Sequence, residues 1–148
     1  MPIRAARPSD SESWGRLREL LWPSHKVREH ADEIARFFAG KLRQPLQVFL
    51  AFDQQDKAIG FIELSIREYA EGCLTDHVAY IEGWYIHPGA RRQGVGAALV
   101  NAAEEWARAQ GCSELASDTE LDNAASAAAH RAIGFEEAGR IVCFKKKL

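Results

Sequence analysis

Apolar residues divide the chain into stretches where they recur every three to four positions and stretches where they run together. Trp14, Leu17, Leu20 and Leu21 follow helical spacing behind Ser9 or Asp10, either of which suits a helix cap. A short strand is predicted before them at 3–6, stopped by Pro8. Trp22-Pro23 closes this first helix, because a residue preceding proline is pushed out of the helical region. A second helix is predicted over 27–42, with Ile34, Phe37, Phe38 and Leu42 on one side. LQVFLAF (46–52) and AIGFIELSI (58–66), joined by the polar DQQDK, form a predicted antiparallel hairpin.

VAYIEGWYI (78–86) is the next strand, and Gly83 inside it points to a bulge or a close approach to the backbone. Val95, Leu99, Ala102, Trp106 and Ala109 then return to helical spacing, with Gly111 placed as a C-terminal cap. A strand at 113–119, a helix over 123–133 capped by Asn123 and ended by Gly134, and a closing strand over 140–146 complete the prediction. Helices alternate with strands without a regular repeat, so a mixed α/β (α+β) sheet with helices on its faces is expected. One domain over 1–148 is expected, with no linker.

Between the strand and the helix at 95 lies RRQGVG. Consecutive backbone N–H groups at a helix N-terminus can converge on an anion, and glycines remove the β-carbons that would block it. A plain structural turn is the alternative. The turn lacks G-x-x-x-x-G-K-[ST], and Leu99 breaks the dinucleotide pattern G-x-G-x-x-G.

What remains is R-x-x-G-x-G, namely Arg91, Arg92, Gln93, Gly94, Val95 and Gly96. About thirty residues on come Asn123, Ser126, His130, Gly134 and Phe135 in N-x-x-[AS]-x-x-x-[aromatic or His]-x-x-x-G-F spacing. Together they resemble the GNAT superfamily of N-acetyltransferases, and the order of elements extends the resemblance over nearly the whole chain. The resemblance implies the GNAT fold: a mixed, mostly antiparallel twisted sheet flanked by helices. It implies acetyl-CoA as co-substrate, its pyrophosphate held by the loop 91–96. Its pantetheine arm would pair with the main chain of Trp84, Tyr85 and Ile86, and Asn123 and His130 would line the cofactor. Many members carry tyrosine where this chain has His130, and that tyrosine is proposed to protonate the departing thiolate. His130 either donates that proton or fills space against the cofactor.

Acidic residues concentrate beside the expected cleft. Glu63, Glu68, Glu71, Asp76 and Glu82 share 60–82 with only Arg67 among lysines and arginines, and Glu114, Asp118, Glu120, Asp122, Glu136 and Glu137 share 114–137 with Arg131 alone of those types. Such a cleft suits a polycationic substrate, although any single carboxylate is more simply solvated surface. AYIEGWYIHPGARRQGVGAALV, ELASDTELDNAASAAAHRAIGFEE, LLWPSH and FKKKL are similar to the aminoglycoside 6′-N-acetyltransferases, the antibiotic-resistance branch of that superfamily. That similarity implies an aminoglycoside acceptor. Trp22 would pack on sugar rings, Tyr69 would line the pocket, and Glu82, Asp118 and Glu136 would hold ammonium or hydroxyl groups. Glu136 is preferred to its neighbour Glu137. Glu82, set in an apolar strand, is the expected proton acceptor from the amine, directly or through water. Trp22 has core packing as its alternative, and Asp118 loop capping.

Composition narrows the classes. A formal net charge of −2 over 148 residues disfavours nucleic acid. Cys73, Cys112 and Cys143 have neither zinc nor disulfide spacing and fit reduced thiols in a cytoplasmic protein. No secretory signal, membrane span or metal site is expected; the histidines lack H-E-x-x-H spacing. A homodimer is expected, with the closing strand and Phe144 at its interface. The competing functions are acetylation of another amine (a polyamine, a small metabolite or a protein amino terminus) and a non-catalytic acyl-CoA sensor.

Overall fold

Sheet order follows chain order. In the computed structural model, which describes residues 2–148, β1 (Ile3–Ala5), β2 (Gln47–Phe52), β3 (Ala58–Arg67), β4 (Val78–Ile86) and β5 (Leu115–Ala116) lie side by side in that sequence. The first four pair antiparallel, and β4–β5 is parallel. The helices are α1 (Ser11–Leu21), α2 (Val27–Phe38), α3 (Val95–Ala109) and α4 (Ala124–Ala132). A mixed α/β sheet flanked by helices is the expected fold class, and the chain adopts it.

Alternation along β2 and β3 feeds two cores. Val48, Leu50 and Phe61 pack with Trp14 and Leu17 of α1 and Ile34 of α2. Ala51, Ile62 and Leu64 pack with Val95, Leu99, Val100 and Ala103 of α3. Both faces of these strands are therefore covered, which is why β3 is apolar almost without interruption. Full burial of one such Leu, Ile or Phe side chain contributes about 1.5–3 kcal/mol.

Several elements differ from expectation. α2 ends at Phe38 rather than 42, because Gly40 takes φ +71° and a Schellman pair forms, Gly40 N–H to Phe37 C=O and Lys41 N–H to Arg36 C=O. Asp10 precedes α1 without capping it through its side chain. Its carboxylate instead accepts from Arg4 at 2.7 Å and from the Arg7 N–H at 2.7 Å. Arg4 holds that carboxyl below its ordinary range. Leu20, expected on the buried stripe, is 55% exposed.

The largest departures lie at the β5 side. The strand expected over 113–119 shrinks to Leu115–Ala116, and the closing strand over 140–146 does not form. Ile141, Val142 and Phe144 are exposed, and α4 carries no buried residue. Strand-forming residues pair only where an edge is offered, and β5 offers two residues. None of the helices is long and apolar enough to cross a membrane among the described residues.

Candidate active site

The turn after β4 begins as a short 3₁₀ segment, Pro88–Ala90, and ends at Gly94, the N-cap of α3 in the left-handed conformation at φ +80°. Arg92 is also left-handed, at φ +62°. Among the described residues, the main-chain N–H groups of residues 92–97 find no acceptor. They sit at the positive end of a 15-residue helix, the arrangement that receives an anion. A β-carbon on Gly96 would stand 3.0 Å from Trp84 Cζ2, so this glycine lets the loop close onto β4. Arg91 leans back, its Nε donating to the Ile86 carbonyl at 3.0 Å. The residues present fit a pyrophosphate.

β4 and β5 pair only at Ala79–Leu115 and Tyr80–Ala116, then separate. From Ile81 to Ile86 that edge of β4 has no strand partner among the described residues, although Arg91 covers the Ile86 carbonyl. On its other edge β4 carries a bulge: Glu63 opposes Gly83 and Leu64 opposes Ile81, which leaves Glu82 as the extra residue. Gly83 is the sequence signal beside it, and the ring of Trp22 fills the space a Gly83 β-carbon would take, at 2.6 Å.

The bulge turns Glu82 toward β3. Its carboxylate accepts from Ser65 Oγ at 2.7 Å and from Arg67 Nε and Nη2 at 2.9 and 2.7 Å. Arg67 lies over the Tyr80 ring at 3.6 Å, and the Tyr80 hydroxyl donates to Asp118 at 2.5 Å. Burial, reinforced by Asp118, pushes the Tyr80 phenol well above its ordinary value, so it remains a donor. Glu82 and Asp118 are thus joined through two residues, Arg67 and Tyr80, at the mouth of the split.

α4 supplies His130. Its ring meets Trp84 edge-on at 5.1 Å and Phe135 at 5.3 Å. Nε2 lies 2.8 Å from Ser117 Oγ, and Nδ1 lies 2.7 Å from the Ser126 carbonyl. Asn123 caps α4, its side chain accepting from the Ser126 N–H at 3.0 Å.

Of the expected acceptor residues, Trp22 is half-buried at the end of α1, against Gly83, Phe61, His30 and the Arg18 guanidinium. Tyr69 follows β3 and is 65% exposed, beside Glu71, whose charge raises its phenol; among the described residues it forms no hydrogen bond with Glu82 or Asp118. Glu137 is taken by Arg131 and Arg140, whereas its exposed neighbour Glu136 has no ion-pair partner among the described residues.

A model described as the acetyltransferase (GNAT) family matches residues 14–135. The chain belongs to the GNAT acetyltransferase family. An aminoglycoside N(6')-acetyltransferase type 1 of Klebsiella aerogenes is 52% identical over 99% of this chain and 96% of its own length. One of the same name from Acinetobacter genomosp. 13 is 43% identical over 100% and 97%. Among solved structures, AAC(6')-Iy in complex with the bisubstrate analog CoA-S-monomethyl-acetylneamine superposes with a TM-score of 0.91 at 34% identity, covering 99% of this chain and 98% of that one.

This GNAT chain also carries polar groups to which sequence reasoning gave no individual role. Ser65, Arg67 and Tyr80 reach the site through strand pairing, and alternation along β3 and β4 was the only signal available for them. Glu63, just across from Gly83, is 2% exposed and accepts from the Trp14 indole N–H at 3.0 Å, with Arg18 Nε at 3.2 Å. Burial pushes its carboxyl up to about 7, against the opposing pull of Arg18. It belongs to the α1 core, away from the free edge of β4.

Proposed function

We propose that this chain transfers the acetyl group of acetyl-CoA to the 6′-amino group of aminoglycosides and so confers resistance to them. The observation that carries the reading is the continuous path from the bare amides of 92–97, along the free edge of β4, to the Glu82–Arg67–Tyr80–Asp118 array. The names of its full-length relatives support the same acceptor. Acetyl-CoA supplies a thioester open to attack by an amine. The loop amides with Arg91, Arg92, Gln93, Gly94, Val95 and Gly96 would hold its pyrophosphate, and the main chain of Trp84, Tyr85 and Ile86 its pantetheine arm. Asn123 would border the same channel from the start of α4.

Glu82 is the proton acceptor and an ammonium anchor. A carboxylate has about four lone-pair positions. Ser65 and Arg67 engage three of them, leaving room for one further donor, an ammonium group or an ordered water. Main-chain N–H groups on the free edge of β4 are the donors available to the developing oxyanion. Asp118 and Glu136 extend the negative rim, with Trp22 and Tyr69 as its apolar walls. The reaction needs no metal and proceeds in the cytoplasm; Cys73, Cys112 and Cys143 are free thiols, as a reducing compartment expects.

We further infer a homodimer formed through the terminal segment. β5 has an open edge, α4 lacks any buried residue, and Ile141, Val142 and Phe144 are exposed nearby in sequence. Exchange of this segment between two copies would cover both. Light scattering is expected to give a dimer for the whole chain and a monomer for one ended after Ala138.

Acetylation of kanamycin-like drugs bearing a 6′-amine, with a 6′-hydroxyl analogue, spermidine and peptides as comparators, tests the activity. Turnover confined to the 6′-amine is expected, and absence of turnover with every aminoglycoside overturns the reading.

A further inference from the structure

We propose that Ser117 is the residue that delivers the proton to the departing coenzyme A thiolate, with His130 as its store; this rests on the acetyl-transfer reading above. A carbonyl oxygen only accepts, so the 2.7 Å contact to Ser126 fixes the hydrogen of neutral His130 on Nδ1. Nε2 is then bare and accepts the Ser117 hydroxyl at 2.8 Å. The outer nitrogen of the ring is occupied by Ser117, so a proton leaving the imidazole there passes through that hydroxyl.

The place of Ser117 in the fold gives this consequence. It is the first residue after the Ala116–Tyr80 pair, at the point where β4 and β5 separate. Its partner His130 stands against Trp84, whose ring in turn borders Gly96 of the anion loop. Five residue steps from Ile86 back to Ile81 span about 17 Å at the usual strand rise, a distance an extended pantetheine arm covers. A carrier anchored at the loop and laid along β4 therefore brings its thioester sulfur to the Ser117 end of the split.

The ammonium substrate gives its first proton to Glu82, which returns it to solvent. The second, lost as the nitrogen adds to the thioester carbonyl, passes through water and the Ser117 hydroxyl to His130 Nε2 and gives the imidazolium. The Nε2–H now donates to Ser117 Oγ, and the Ser117 hydroxyl turns its own hydrogen outward. As the carbon–sulfur bond breaks, the sulfur takes the Ser117 proton, Ser117 takes the Nε2 proton, and His130 returns to the neutral form. The thiol leaves, with serine and imidazole restored.

Nitrogen NMR of the whole protein tests the resting arrangement, which requires a protonated Nδ1 and a bare Nε2 on neutral His130. Calorimetry at pH about 9, above the ordinary thiol value of about 8.5, then compares CoA with desulfo-CoA. The wild type is expected to prefer CoA about tenfold, because thiolate binding brings one proton onto His130 Nε2 and frees the Ser117 hydrogen to donate to the sulfur. Ser117→Ala should lose that preference with desulfo-CoA affinity unchanged. Its turnover should fall about a hundredfold, within the range for general acid catalysis. Ser117→Thr, which keeps the hydroxyl, should stay within about threefold of wild type, and Ser117→Ala with His130→Ala should be no slower than the slower single variant. Wild-type turnover and thiolate preference in folded Ser117→Ala, or a hydrogen on Nε2 of the neutral ring, overturns the relay and leaves acetyl transfer standing. A wild type that acetylates no amine overturns the underlying reading instead.

Discussion

Along its β3 side, β4 is paired from Val78 to Ile86, whereas along its β5 side pairing stops after Tyr80. Two arginine–carboxylate pairs lie along the β3–β4 pairing. On the α1 face, Arg18 and Glu63 are 6% and 2% exposed, with a second carboxylate, Glu33, 2.5 Å from Arg18. At the bulge, Arg67 and Glu82 are 36% and 14% exposed. Desolvation dominates the first pair and drives Glu63 toward its neutral form, a matter of stability. The second keeps access to the split and suits an incoming cation. The difference between the two pairs comes from what covers them: α1 and α2 enclose the first, whereas the second keeps 36% and 14% of its side chains exposed.

The sharpest way to break this contrast is to remove the buried carboxylate. Glu63→Ala leaves the Trp14 indole and part of Arg18 unpaired and should cost about 3–5 kcal/mol in urea unfolding. Its pH dependence has a definite sign. The Glu63 carboxyl is raised from 4.5 to about 7 in the folded chain. Its contribution is complete below pH 4.5 and drains away as pH rises to about 7, by up to roughly 3 kcal/mol. The stability of Glu63→Gln should therefore fall less than that of wild type over this interval.

At the open pair the response should appear in chemistry. Glu82→Gln should lower turnover about a hundredfold, the lower end of general-base effects, with little change in acetyl-CoA affinity. Loss of carrier binding without loss of turnover would erase the difference between the two pairs. Gly96→Val drives a β-carbon against Trp84 and should weaken acetyl-CoA binding about tenfold by calorimetry, roughly 1.4 kcal/mol, with the fold retained. The smallest effect is expected at α4. Asn123→Ala removes a cap worth about 1 kcal/mol and should speed amide exchange in that helix alone.

The paired side was the more legible in sequence. The bounds of β4 and α3 follow from apolar spacing and from glycines with positive φ at 94 and 111. Local chemistry also announced the glycine turn before α3 and the Asn123 cap. The end of α2 escaped because apolar spacing continues to Leu42 while Gly40 reverses the chain first. The strands over 113–119 and 140–146 failed for another reason: alternation marks residues able to pair, and pairing needs a neighbouring edge. Ser117–His130 and Glu82–Arg67 are separated by 13 and 15 positions, contacts that only tertiary folding creates. Glu136 and Glu137 are indistinguishable by type, and the nearby arginines separate them.

The bulge at Glu82 has a consequence for how such a protein changes over generations. The thioester carrier is to be gripped mainly by backbone, whereas the amine is to be met by side chains on neighbouring strands. On the proposed reading, a substitution among those side chains would alter which amine is accepted, while the hold on the carrier would stay as it is.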